Sequence, residues 1–93
     1  MSIIKFPEYV PIGSQLYTIK VGPLPGNDVG ACESDAKTIW IEENQPERAA
    51  LQVFYHEVIH AIETEYGVRV THADVDRIAQ GIVQATLALV EAA

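Results

Sequence analysis

One cysteine, few basic residues and no long apolar run mark this sequence, and each scarcity removes a class of protein. Cys32 stands alone, so no disulfide can close within the chain, which fits a reducing compartment. Six Lys and Arg against thirteen Asp and Glu leave a net charge of −7. That balance argues against a general affinity for nucleic acid or an anionic membrane surface. The most apolar stretch, residues 78–90, is short and broken by Gln80 and Gln84, so no transmembrane segment is expected. Residues 1–6 have no long apolar run behind a basic start and do not read as a secretory signal. The expectation is a soluble, cytoplasmic protein without nucleic-acid or membrane partners.

Ninety-three residues make one domain, 1–93, with no room for a second core. Hydrophobic residues at 48% and charged residues at 20% put the chain among globular rather than disordered sequences. A domain this small gains noticeably from a staple; with no disulfide to hand, a bound metal is the other one. No internal repeat or low-complexity tract is present.

Residues 1–13 carry Pro7, Pro11 and Gly13 and are expected as an irregular N-terminal arm with room for one short extended piece. Residues 15–21 alternate Leu16, Thr18 and Lys20 against Tyr17, Ile19 and Val21, a strand pattern rich in β-branched and aromatic side chains. The Pro- and Gly-rich residues 22–28 form a loop. A short extended run at 29–33, turn chemistry at 34–37 and a strand at 38–41 are close enough to pair as a hairpin. Pro46 and Glu47 then open a helix over 46–66, with Asn44 or Gln45 as its cap and Gly67 as a left-handed stop. Its apolar stripe is Leu51, Tyr55, Val58, Ile62 and Tyr66, with Ala49, Val53, His56 and His60 on roughly the opposite side. A helix apolar on two sides is sandwiched, here between the sheet and a second helix. That second helix, over 72–91 and capped by Thr71 or Asp74, repeats Val75, Ile78, Ile82, Ala85, Thr86 and Leu89, and its Gly81 reads as a point of close packing. The fold class expected is α+β: a small, mostly antiparallel three-stranded sheet over 15–41 packed on two C-terminal helices.

His56, Glu57 and His60 spell H-E-x-x-H inside the first of these helices. Residues four apart share a helix face, so two imidazoles can aim at one point, as the first two ligands of a zinc ion must. Glu57 lies about 100° round the helix from His56, beside a metal rather than bound to it, where a carboxylate can take a proton from water. Two histidines and a glutamate also occur on helices that bind nothing. Against that, the chain's three histidines all fall within residues 56–72. His72 opens the second helix and is the preferred third ligand, with Asp74 and Asp76 as rivals. Glu63, three residues past His60, suits a partner holding an imidazole rather than a ligand. Cys32 reads as a small buried hydrophobe, Ile39, Trp40 and Ile41 as core, and Tyr55 and Tyr66 as packing residues. Neither the tyrosines nor Arg69 can be assigned an oxyanion-stabilising role by position alone.

The run Thr38-Ile39-Trp40-Ile41, a polar turn, and then Tyr55-His56-Glu57-Val58-Ile59-His60-Ala61-Ile62 resembles the minimal zincin-like metallopeptidase domains of tailed phages and prophages. The likeness runs over roughly residues 15–90, although only the H-E-x-x-H core is specific. In that family the third ligand is a glutamate three residues before the valine of the last helix. His72 occupies the matching position, a departure that is similar instead to the SprT-like peptidases, where a downstream histidine completes the site. A neutral imidazole in place of a carboxylate leaves the centre one charge more positive.

The resemblance and the residues together imply a zinc metallopeptidase acting on a peptide or protein substrate. His56, His60 and His72 would bind Zn²⁺ and Glu57 would be the general base. The alternative is a non-catalytic, metal-stabilised interaction or assembly module of a phage or prophage. In either case the apolar C-terminal helix offers a possible face for a homo-oligomer.

Overall fold

The computed structural model describes residues 5–93. Strands β1 (Tyr9–Ile12), β2 (Gln15–Gly22), β3 (Gly30–Glu33) and β4 (Thr38–Glu42) are followed by helices α1 (Glu47–Tyr66) and α2 (His72–Ala92). The fold is α+β, but its sheet has four strands in the order β1-β2-β4-β3 and is mixed, where three mostly antiparallel strands are expected from sequence. The extra strand comes from the N-terminal arm. Tyr9 to Ile12 pairs antiparallel with β2, and Pro11, which has no N–H to donate, is accommodated because β1 lies at an edge. Residues 1–4 of that arm lie outside the described residues.

The mixed character has a topological cause. β2 and β4 run parallel in the centre, with Ile19 opposite Ile39 and Val21 opposite Ile41. The loop after β2 carries the chain past the place beside it to the far edge, where β3 forms. The chain then turns back at residues 34–37 and enters the gap as β4, so β3 and β4 make the expected hairpin with Cys32 opposite Ile39.

One sheet face carries the core. Tyr17, Ile19, Ile39 and Ile41 are buried against α1 together with Ala50, Val53 and Ala61. Trp40, expected in the core, points to the other face because side chains alternate along a strand. Its Nε1 donates to Glu33 Oε1 at 2.6 Å and the Lys20 ammonium sits 5.2 Å above its ring.

α1 is sandwiched as its two apolar sides require, although its buried positions are Ala50, Leu51, Val53, Glu57, Ile59 and Ala61, and Tyr66 at the end of the expected stripe is 61% exposed. Small Ala50 and Ala61 let the sheet approach closely, while Ile59 packs with Val75 and Ala79 of α2. Pro46 occupies the N-cap position with no side-chain cap bond. Asn44 and Gln45 do not cap: Gln45 Nε2 instead donates to the carbonyl of Glu42 at 2.9 Å, anchoring the loop. Gly67 ends the helix at φ 66°, ψ 33°, its N–H donating to the Glu63 carbonyl, as a left-handed cap does.

In α2 the buried positions are Val75, Ala79 and Val83, not the whole expected stripe. Ile78 and Leu89 are 44% and 73% exposed, and a methyl added at Gly81 would meet nothing within 4 Å. Close packing among the described residues therefore does not explain Gly81, whose helix-propensity cost is ~1 kcal/mol relative to Ala. No helix among the described residues is long and apolar enough to cross a membrane.

Candidate metal centre

α1 places His56 and His60 one turn apart, and the Gly67 stop returns the chain so that α2 begins beside them. Thr71 supplies the start: its Oγ1 accepts from the Asp74 N–H at 3.2 Å, a cap that fixes where the first helical residue, His72, projects. The result brings together all three imidazoles, with one ring nitrogen of each within 4.8 Å of the others. Ring centroids are 4.7 Å apart for His56 and His60, 5.0 Å for His56 and His72, and 5.4 Å for His60 and His72.

Two carboxylates decide the tautomers. His56 Nδ1 lies 2.8 Å from Asp76 Oδ1, and His60 Nδ1 lies 2.9 Å from Glu63 Oε1. An ionised carboxylate only accepts, so each Nδ1 carries the proton, and each neutral ring is left with a lone pair on Nε2. Those two Nε2 atoms face each other at 3.0 Å. Two lone pairs at that separation need positive charge between them, either an added proton or a cation. Ligand nitrogens about 2.0–2.1 Å from a tetrahedral zinc are roughly 3.3 Å apart, close to the separation of His56 and His60; with a His72 nitrogen within 4.8 Å of both, the three could hold a metal ion.

The same contacts sort the remaining acidic residues. Asp76 supports His56 from behind, and Asp74 turns away to the Arg77 guanidinium at 3.2 Å. Glu63 does what its spacing suggests and one thing more. Its second oxygen accepts from the Val70 N–H at 3.0 Å, which ties the crossover leading to His72 to the turn carrying His60. Those donors, Val70 first and then His60, hold the Glu63 carboxyl below the usual carboxylate range. Cys32 is half-buried against the core and lies outside the histidine group; burial is the main cause pushing its thiol up.

Glu57 is only 9% exposed. Burial raises its pKa, opposed by the nearby imidazoles of His56, His60 and His72. Gly30 of β3 makes this position possible. A methyl there would run into Val53 Cγ1 and would come within 3.3 Å of Glu57 Oε2, so only glycine lets the edge strand pass so close to α1. Glu57 and the three histidines line one open cleft of about 570 Å³, walled by Val29 and Gly30 on one side and by Gln52 and Asp76 on the other.

Gly30, and Asp76 as a support for His56, are what motif reading misses. Both act across elements: Asp76 reaches His56 only because α2 docks on α1, where Gln52 Nε2 donates to the Asp76 carbonyl at 3.1 Å. The one signal in the sequence is the i, i+4 spacing of His72 and Asp76, which puts them on one face of α2. Comparison with protein-family models, with curated proteins and with solved structures finds no match to this chain.

Proposed function

We propose that this chain is a zinc-dependent, peptidase-like hydrolase in which His56, His60 and His72 hold the metal and Glu57 is the general base. The observation that carries the reading is the pair of Nε2 atoms 3.0 Å apart, both turned into acceptors by carboxylates on the far side of their rings. When bound, zinc supplies Lewis acidity, polarising a carbonyl and bringing the pKa of water down towards ~7. The chain's own work is done by Glu57. Its carboxylate accepts a proton from the attacking water as oxygen bonds to the peptide carbon, and returns that proton to the amine as the C–N bond breaks. Burial raises its pKa, and a bound dication would oppose that rise.

β3 lies at the sheet edge beside the cleft, so its outward backbone groups suit an extended peptide pairing as a further strand. The substrate class is accordingly a peptide or an unfolded segment of protein.

Glu57→Gln separates binding from turnover. The variant is expected to retain one equivalent of zinc by elemental analysis and to lose peptide hydrolysis by at least a hundredfold. Undiminished hydrolysis would remove Glu57 from its role. If chelation unfolds the wild-type chain and no peptide is cut in any condition, the metal-stabilised assembly module replaces the enzyme.

A further inference from the structure

Beyond the metal centre the space between the two helices opens again. Arg48, Gln52, His56 and His60 follow one another every four residues on α1, and His72, Asp76, Gln80 and Gln84 do the same on α2, so each set forms one ridge along its helix. The ridges meet where His56 Nδ1 contacts Asp76 Oδ1 and Gln52 Nε2 donates to the Asp76 carbonyl. Past that contact lies a groove of about 520 Å³ lined by Pro46, Arg48, Ala49, Gln52, Gln80 and Gln84. Gln52 borders both this groove and the histidine cleft, so the two adjoin. No acidic side chain lines the groove, in a chain with thirteen Asp and Glu, and Arg48 is its one cation. Arg48, Gln80 and Gln84 are exposed and make no hydrogen bond or ion pair among the described residues.

We infer that this groove is a substrate subsite that takes an acidic stretch of peptide, with Arg48 pairing to an Asp or Glu side chain and the Gln80 and Gln84 amides bonding to the peptide backbone. The inference rests on the hydrolase reading, which puts the bond to be cut at the three histidines. The course of the edge strand supports it. Gly30 lies against Val53 and Glu57, and Ser34 Oγ is 3.2 Å from Thr64 Oγ1, so β3 runs along α1 in the same sense. A peptide paired with β3 and carried past Gly30 therefore travels over the first half of α1, towards Arg48. The eight residues from His56 to Arg48 span about 12 Å of helix, which an extended chain at about 3.3 Å per residue covers in three to four residues. A guanidinium holds a carboxylate through two parallel N–H donors, and amides both donate to and accept from a backbone. The occupant is thus a peptide whose acidic residue stands three or four positions from the bond cut. The net charge of −7 opposes anionic peptides over the surface at large, so a preference for acid has its source in this groove.

Two measurements separate the groove from the hydrolase reading. With a library of synthetic peptides of mixed sequence, cleavage by the zinc-loaded full chain is mapped by mass spectrometry. Bonds with Asp or Glu three or four residues away on one side are expected to be cut about two- to fivefold faster than the same bonds with Asn or Gln there, the scale of one solvent-exposed charge pair. Arg48→Gln is expected to abolish that preference and Arg48→Glu to turn it towards Lys and Arg; the side chain is exposed, so far-UV circular dichroism stays unchanged in both. In ¹H–¹⁵N spectra of the zinc-loaded chain carrying Glu57→Gln, a short peptide bearing one Glu is expected to shift the Arg48 Nε–H and the Gln80 and Gln84 side-chain amides, and its Gln counterpart much less. Cleavage without an acidic preference, a preference untouched by Arg48→Gln, or no shift at these three side chains would each overturn the groove and leave the hydrolase standing. Groove shifts that require the Glu, with no peptide ever cut by the wild-type chain, would overturn the hydrolase and not the groove.

Discussion

Among the side chains of the centre, the least conspicuous set its chemistry. By accepting the Nδ1 protons of His56 and His60, Asp76 and Glu63 determine which ring nitrogens are turned towards each other. Outer partners of this kind orient a ligand and raise its basicity. Asp76→Ala is therefore expected to lower zinc affinity by about 10- to 100-fold, measured by competition against a chromophoric chelator. Asp74→Ala, which loses only an exposed contact with Arg77, is the control and is expected to change affinity little. Equal affinities for wild type and Asp76→Ala would show that the 2.8 Å contact takes no part in holding the imidazole.

Among the elements, the decisive meeting is between β3 and α1. An edge strand at the end of a four-stranded sheet has freedom to lie at several heights above a helix, and Gly30 sets how low it passes. Gly30→Ala would drive a methyl into Val53 and towards the Glu57 carboxylate. Overpacking of this kind costs ~1–3 kcal/mol, and the chemical-denaturation midpoint is expected to fall accordingly. Metal affinity is expected to survive, because all three histidines belong to helices. A variant as stable as wild type would mean that β3 shifts freely and does not define the wall of the cleft.

Across the domain, the sheet and the end of α1 are tied by one carboxylate. Glu65 Oε2 accepts from Tyr17 Oη at 2.6 Å and from Lys37 Nζ at 2.7 Å. Tyr17 is fully buried and its phenol is pushed up, first by burial and then by its bond to Glu65. Lys37, at the left-handed φ of 50° that closes the β3–β4 turn, and then Tyr17 hold the Glu65 carboxyl below the usual range. A carboxyl whose pKa is lower folded than unfolded contributes stability above the unfolded value of about 4.3, and loses it as pH falls through the folded pKa. Tm is expected to drop as the pH is taken below ~4, and Glu65→Gln is expected to flatten that limb. An acid limb unchanged in the variant would assign the sensitivity to other groups, Glu42 and Glu63 being held low in the same direction.

Local chemistry wrote much of this in advance. Periodicity located both helices to within a residue or so, Gly67 marked where the first stops, Thr71 was one of two residues able to start the second, and β3 and β4 paired across the turn that separates them. The i, i+4 relation of His56 and His60 is a property of any helix, so their convergence was legible before the chain had a shape. What tertiary structure alone decided is everything that depends on distance between elements. That includes the parallel pairing of β2 with β4, the recruitment of the N-terminal arm as an edge strand and the outward turn of Trp40. It also includes the arrival of His72 beside two histidines on another helix, with Asp76 behind one of them. Helix and turn signals are carried by neighbours a few residues apart. Strand order and the rotation of α2 about its own axis are settled by which apolar faces bury best against each other, a contest that no short stretch of sequence contains.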